Sequence, residues 1–488
     1  MALFQEIVTP IIKYEQPLDL FINNEFVPGI EGRTFESINP HTEKPIVAVH
    51  EATEKDVDFA IQAARSALKI WKDVTPSQRG QLLTKLADLF ERDINILAAI
   101  ESLDNGKAIT FARNDIVQAA NCLRYYGGWA DKIVGQTIDI DPNTLAYTRH
   151  ERIGVCGQII PWNFPLLMWA WKIGPAIATG NTIVLKTAEQ TPLSGLYAGK
   201  LVKEAGFPPG IINIISGFGR TAGAAMSSHD GIDLIAFTGS TTVGGHILKA
   251  AAGNLKKVVL ELGGKSPNIV FPDADLKNAV SWVNHGIYFN HGQCCGAGSR
   301  ILVHEDIYDT FIESFKQRAL QNKVGNPFSE DTFQGPQVSK AQFDRIMEYI
   351  DEGKKAGAVL ITGGQRQAAE GYYIQPTIFA NVHENMSIVQ EEIFGPVCTI
   401  QKFRDEEDAI RIANETRYGL AAAVHTTNLY TAIRVSNALQ AGTVWVNNYN
   451  LVHYQLPFGG YKESGLGREL GSYALDIYSD QDSCHASG

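Results

Sequence analysis

From Ile153 onward, short apolar runs alternate with helical stretches, and this alternation limits the possible folds more than any other feature. Thr182–Leu185, Gly210–Ile215, Leu234–Phe237 and Val258–Leu260 form one series of strand-like runs. A second series follows Cys295, with Ser299–Val303, Ala358–Ile361 and Val397–Phe403. Strands that alternate with helices build parallel βαβ units and open, doubly wound sheets. The segment before Ile153 is different in texture. Asp56–Trp71 carries apolar residues at helical spacing, and Arg79–Leu103 continues as helix with Leu82, Leu83, Leu86, Leu89, Leu97 and Ile100 on a recurring face. At roughly 100–200 residues per domain, a chain of this length has two to four domains, and two α/β domains fit both the pattern and the 488 residues.

Between the helical start and the first series, Thr137–Ile140 and Leu145–Glu151 flank the turn Asp141-Pro142-Asn143-Thr144. Alternating strands around a Pro-Asn turn read as a hairpin. It is either the edge of a domain or an arm that pairs subunits.

Composition removes several functions. The formal net charge is −11, the wrong sign for neutralising nucleic-acid phosphates or an anionic membrane surface. No apolar run reaches the roughly 18 residues that span a bilayer, and Lys172 interrupts the most apolar stretch, Phe164–Ala178. The N-terminal stretch has no basic region, no continuous apolar segment and no small-residue cleavage site. It lacks arginine and carries Glu6, so cytoplasmic residence is the default expectation. The six cysteines (Cys122, Cys156, Cys294, Cys295, Cys398 and Cys484) show no Cys-x-x-Cys spacing, so no zinc site or other metal site is expected.

Four stretches carry more constraint than packing requires. Pro161-Trp162-Asn163-Phe164-Pro165 is a rigid turn around an asparagine, and such an amide can also point at developing negative charge. Phe237–Gly244 runs from a strand through Gly239-Ser240 into a helix over Val243–Ala252. It fits an ordinary turn or a phosphate cradle, although its spacing is not that of the dinucleotide fingerprint. Glu261, in Leu260-Glu261-Leu262-Gly263-Gly264-Lys265-Ser266-Pro267, ends an apolar run where a carboxylate is costly unless paired or functional. It is either salt-bridged or a general base with a raised pKa. The fourth stretch, Phe289–Gly298, holds Cys294-Cys295 followed by small residues, which leave room for a substrate carbon. A vicinal pair is rarely an internal disulfide because the ring is strained. The pair is two buried thiols, or one of them is a nucleophile.

Together these stretches resemble the NAD(P)-dependent aldehyde dehydrogenase superfamily over Leu20–Tyr478. The resemblance is strongest to the acetaldehyde- and retinal-oxidising class, and within it to fungal members. LELGGKSP and FNHGQCCGAGSR are similar to its two active-site signatures. PWNFP, FTGST, EEIFGPV and PFGGYKESGLGRE match four further blocks in the family's order. The resemblance implies a Rossmann-like cofactor domain (1–131 and 152–263), a catalytic thiol domain (264–470) and a small oligomerisation arm (132–151 and 471–488).

The resemblance further implies that Cys295 is the nucleophile and Cys294 its spectator. Glu261 would be the base, Asn163 would share the oxyanion hole with the Cys295 amide, and Lys172 and Glu469 would relay the proton. Trp162, Lys186, Glu189, Gly239, Ser240, Glu392 and Phe394 would hold the cofactor. A carboxylate at Glu189 repels the 2′-phosphate of NADP, which favours NAD without excluding NADP. Phe164, Met168 and Trp171 lie at i, i+4 and i+7, one helix face, a spacing that suits a core stripe. In similar enzymes this face lines the aldehyde tunnel opposite Phe289, Val452 and Phe458. Those walls suit an aliphatic or aromatic aldehyde better than a charged one. Val452 stands where some relatives carry an aromatic ring, and Leu456 lies close by in sequence.

The C-terminus departs from the pattern. Relatives continue with an alternating apolar strand, whereas Ser479–Gly488 is rich in Asp and Ser, which are poor strand formers. The expectation is therefore a defective final strand, an exposed edge beside Leu145–Glu151, and a homodimer with tetramer assembly in doubt. Two other functions compete with NAD-dependent oxidation. A CoA-acylating relative generally lacks the carboxyl at position 261, and a catalytically silent structural homologue has no need of Cys295, Glu261 and Asn163 together.

Overall fold

The computed structural model describes residues 3–487. Its centre is an eight-stranded sheet whose neighbours run, in order, Gly465–Leu466, Lys257–Glu261, Leu234–Thr238, Val155–Ile159, Thr182–Thr187, Ile212–Ser216, Leu20–Ile22 and Glu25–Val27. The five strands from Val155–Ile159 to Lys257–Glu261 are mutually parallel. Val155–Ile159, Thr182–Thr187, Ile212–Ser216 and Leu234–Thr238 are buried throughout, which is why they read as continuous apolar runs instead of alternating ones. The order reverses between Val155–Ile159 and Leu234–Thr238. At such a point the connections leave in opposite directions and a crevice opens at the carboxyl ends of the strands.

The second sheet has seven strands, in the order Val359–Thr362, Thr377–Ala380, Val397–Phe403, Arg300–His304, Pro267–Val270, Ala421–His425 and Thr443–Val446. All its pairings are parallel except that of the first two strands. Chain passes from one sheet to the other at Leu262–Ser266, between strands Lys257–Glu261 and Pro267–Val270. The short strand Gly465–Leu466 returns to the first sheet and pairs with Leu260 and Glu261.

Helix Pro165–Ala178 begins with proline at its first turn, where the missing N–H costs nothing. It is buried on nearly every side, against helices Ile109–Trp129 and Pro76–Arg92. The helix predicted over 79–103 is two, Pro76–Arg92 and Ile94–Asp104. They are divided at Asp93, whose ψ of 19° is non-helical and whose carboxylate accepts from Tyr197. Three strand pairs or ribbons before residue 51 went unread in the sequence, among them Phe4–Val8 with Lys13–Pro17. Their exposed polar positions hide the period.

The expected loss of the final strand is corrected. Ser479–Ser487 is a strand of nine residues paired antiparallel with Thr144–Arg152, from Ser479 opposite Arg152 to Ser487 opposite Thr144. Thr144–Arg152 is therefore the middle strand and not an open edge. Side-chain propensity is a weak force here. The hairpin Thr137–Asp141/Thr144–Arg152 offers a backbone ladder, and local contacts fix the register. Ser479 O accepts from Lys257 Nζ at 3.1 Å, Asp480 pairs with the same lysine at 2.6 Å, and Ser479 Oγ meets His150 Nδ1 at 3.1 Å. Helix Tyr473–Ile477 packs on helix Pro165–Ala178, and Ala474, Leu475 and Tyr478 join the core of the first α/β unit.

Candidate active site

Two motif segments meet where the strand order reverses. Trp162 and Asn163 follow strand Val155–Ile159, and Gly239-Ser240 follows Leu234–Thr238. Ser240 caps helix Thr241–Ala251, its hydroxyl accepting from Val243 N at 3.4 Å. Lys186 stands near the carboxyl end of the adjacent strand. It is buried, donates to Thr187 O at 2.9 Å and lies 3.6 Å from the Glu189 carboxylate, which is partly open to solvent. Burial pushes the Lys186 ammonium below its usual range, against the opposing pull of Glu189.

The thiol loop comes from the second unit. Cys295 follows helix Leu276–Tyr288 and a turn in which Asn290, His291 and Gly292 all have positive φ (49°, 57° and 72°). A side chain on Gly292 would strike Gly395 O at 2.1 Å, so the thiol loop packs directly on the loop of Glu392 and Phe394. Gly263 and Gly264 make a second close passage. A Cβ on Gly263 would lie 2.3 Å from Glu392 Oε2, and one on Gly264 would lie 2.4 Å from Cys295 O. The glycine pair therefore lets the backbone thread between these two residues. Gly264 N donates to Glu392 Oε1 at 2.9 Å, while burial raises the Glu392 carboxyl to about 7.

Contact with Cys294, burial, and the carboxyls of Glu392 and Glu261 hold the Cys295 thiol well above the usual cysteine range. Cys294 turns toward Asn450, with Sγ 3.9 Å from Oδ1. Glu261 ends strand Lys257–Glu261, is buried, and has no hydrogen-bond partner on either carboxylate oxygen. Burial raises its pKa well above normal. Glu469 pushes further in the same direction, against Lys172 and Arg468. A Cβ on Gly459 would come within 2.9 Å of Glu261 Oε1, so that glycine makes room for the carboxyl group. Lys172 and Glu469 form a buried ion pair nearby.

The apolar residues also converge. Phe164 stacks on Phe289 with ring centroids 6.1 Å apart, and Trp171 meets Phe458 edge to face at 5.6 Å. Met168 is buried between these positions on helix Pro165–Ala178, and Val452 is exposed at 37%. Trp162 and Phe394 meet edge to face at 5.2 Å, and Phe394 holds a left-handed φ of 61°. Sequence reasoning missed Phe111, His285 and Tyr454. Phe111 and His285 both pack on Phe289, and Tyr454 packs on Tyr125. The first two lie on helices whose periodicity marks a buried face without saying what it faces.

A doubly wound sheet whose switch point faces a thiol loop from a second α/β unit is the architecture of a two-domain dehydrogenase. The Aldehyde dehydrogenase family model matches residues 26–483, and the chain belongs to that family. It is 72% identical to an aldehyde dehydrogenase of Emericella nidulans over 99% of this chain and 98% of that protein. Identity to the human mitochondrial aldehyde dehydrogenase is 55%, covering 94% of this chain and 90% of that one. The structure of the NAD+ complex of the Bacillus cereus aldehyde dehydrogenase is similar with a TM-score of 0.95, at 52% identity and with 96% of each chain covered. No helix among the described residues is long and apolar enough to cross a membrane.

Proposed function

We propose that this aldehyde dehydrogenase oxidises aliphatic or aromatic aldehydes to carboxylic acids with NAD, through a thioester on Cys295. One observation carries the reading: the Asn163 amide is tied at 3.0 Å to the carbonyl of Gln293, two residues before the Cys295 thiol.

The residues present fit a dinucleotide. The Lys186 ammonium and Glu189 carboxylate suit the two hydroxyls of a ribose, and the free N–H groups at Thr241–Ala251 suit a phosphate. Glu392 suits the second ribose, and the Trp162 and Phe394 rings, packed edge to face, form an apolar wall near it. Glu189 disfavours a 2′-phosphate, so NAD is the preferred cofactor. The Bacillus cereus relative forms an NAD+ complex. When bound, NAD supplies the acceptor for the hydride that leaves the thiohemiacetal.

The chain's own groups do the rest. Cys295 passes its thiol proton to the ionised Glu261 carboxylate and attacks the aldehyde carbon as thiolate, and the Asn163 amide with the Cys295 backbone amide stabilises the oxyanion. Glu261 in its ionised form takes a proton from the water that hydrolyses the thioester. Lys172 and Glu469 pass that proton onward. Phe164, Met168, Trp171, Phe289, Val452 and Phe458 exclude water and hold the aldehyde's apolar tail.

A reducing compartment such as the cytoplasm keeps a thiol nucleophile free, which supports cytoplasmic residence. The hairpin arm with its third strand exposes Ile138, Ile140 and Leu145, apolar positions that support homo-oligomer assembly.

Absorbance of NADH tests the function. Acetaldehyde, an aromatic aldehyde and a long-chain aldehyde are each offered with NAD or NADP, with and without CoA. Turnover with NAD that ignores CoA supports the proposal. A strict CoA requirement, or no reduction with any aldehyde, overturns it.

A further inference from the structure

Resting on the reading of Asn163 and Cys295 given above, we infer that Asn290 is a positioning residue that fixes the oxyanion donor Asn163 relative to the thiol loop. The geometry is a closed knot of three hydrogen bonds. Asn163 Nδ2 donates to Gln293 O at 3.0 Å, Asn290 Nδ2 donates to the same Gln293 O at 3.0 Å, and it also donates to Asn163 O at 3.1 Å. One amide thus ties both the backbone of the oxyanion donor and the acceptor of its side chain. Gln293 lies two residues before Cys295, so the knot sets the distance from donor to thiol.

Several features mark Asn290 as specialised. Its side chain is completely buried, and its φ/ψ of 49°/38° is left-handed, a region asparagine tolerates better than most residues. An aspartate would keep that backbone preference but could not donate. The amide has two N–H groups, and both are used. Asn163, by contrast, commits one N–H to Gln293 O and has no second protein acceptor among the described residues. Its remaining N–H is the one available to an oxyanion. The other flank of the same loop is held by Asn105, whose Nδ2 donates to Trp162 O at 2.5 Å. Asn163 is therefore clamped from both units of the molecule, and Asn290 is the clamp on the thiol side.

A donor displaced by about 1 Å loses roughly 100-fold in rate. Asn290→Gly keeps the left-handed backbone and deletes the amide. It should lower kcat by about 10- to 100-fold, with KM for aldehyde and NAD affinity changed less than about threefold. Asn290→Ser, which keeps one donor, should fall between. The decisive measurement is a double-mutant cycle with Asn163→Ala. If Asn290 acts through Asn163, adding Asn290→Gly to Asn163→Ala costs less than about twofold more. Equal losses in both backgrounds overturn the inference, as does an unchanged kcat in Asn290→Gly. A wild-type rate in Asn163→Ala alone overturns the oxyanion reading and this inference with it. A slow Asn163→Ala beside a fast Asn290→Gly overturns this inference only.

Discussion

Lys172 and Glu469 are 297 residues apart in the chain and form a fully enclosed ion pair beneath Glu261. Lys172 lies within helix Pro165–Ala178, and Glu469 lies in the segment that returns to the first sheet beside Glu261. The pair leaves Glu469 Oε2 and both Glu261 oxygens without hydrogen-bond partners. Glu261, Glu469 and Lys172 thus share one buried region, with Arg468 a second cation acting on Glu261. Burial and the Glu469 carboxylate both favour the protonated form of Glu261, against the opposing pull of Lys172 and Arg468.

This arrangement predicts a pH effect with a definite sign. Glu469 raises the Glu261 pKa, so Glu469→Gln should lower it. The acid limb of the kcat profile, measured where thioester hydrolysis limits turnover, should move to lower pH. A limb that stays in place or moves upward would show that Glu261 does not titrate in that step.

Cys295→Ala should abolish aldehyde oxidation, with a loss of at least roughly 1,000-fold, because no neighbouring group replaces a covalent nucleophile. NAD affinity, followed by quenching of tryptophan fluorescence, should change less than about threefold. Cys294 faces Asn450, and Cys294→Ala should keep turnover within about fivefold. The reverse pattern would make Cys294 the nucleophile.

The sequence carried the parallel strands and the site motifs for a physical reason. A strand buried on both faces is apolar along most of its length, and residues such as Gly263 and Gly264 are forced by close passages no other residue survives. The reading failed where the determining force was not local. Ser479–Ser487 has poor strand propensity but pairs along nine residues with a hairpin distant in sequence. Asn290 has no apolar pattern around it, and its role depends on Asn163, which is 127 residues away. Asp93, where the helix splits, accepts from the hydroxyl of Tyr197 on a different helix.

The proposed substrate funnel yields a specificity prediction. Val452 and Leu456 are both exposed, at 37% and 61%, and on the proposed lining a larger ring at position 452 would narrow the funnel. Val452→Phe should reduce kcat/KM for an aromatic aldehyde by about 10-fold relative to acetaldehyde, on the scale of one to three kcal/mol for a changed pocket wall. An unaltered ratio would remove Val452 from the substrate path.

Glu101 provides a stability prediction away from the chemistry. It is fully buried on helix Ile94–Asp104, and Oε1 accepts from Leu166 N at 2.7 Å, at the start of the helix that follows the Asn163 loop. Lys107 lies 3.8 Å from Oε2. Burial raises this carboxyl to about 7, and the nearby Lys107 cation offsets only part of the effect. An unfolded glutamate ionises near pH 4.3. Between that pH and about 7 the folded protein therefore keeps a proton that the unfolded chain has lost. The unfolded state binds fewer protons there, so this group's contribution to stability falls as pH rises, by on the order of 1 kcal/mol or more across the window. Glu101→Gln cannot titrate and should flatten the decline. Thermal unfolding followed at pH 5 and at pH 7.5 measures it: the wild type should lose more in Tm between the two than the variant does. An equal loss in both would mean that Glu101 is ionised throughout, paired with Lys107 as a buried salt bridge.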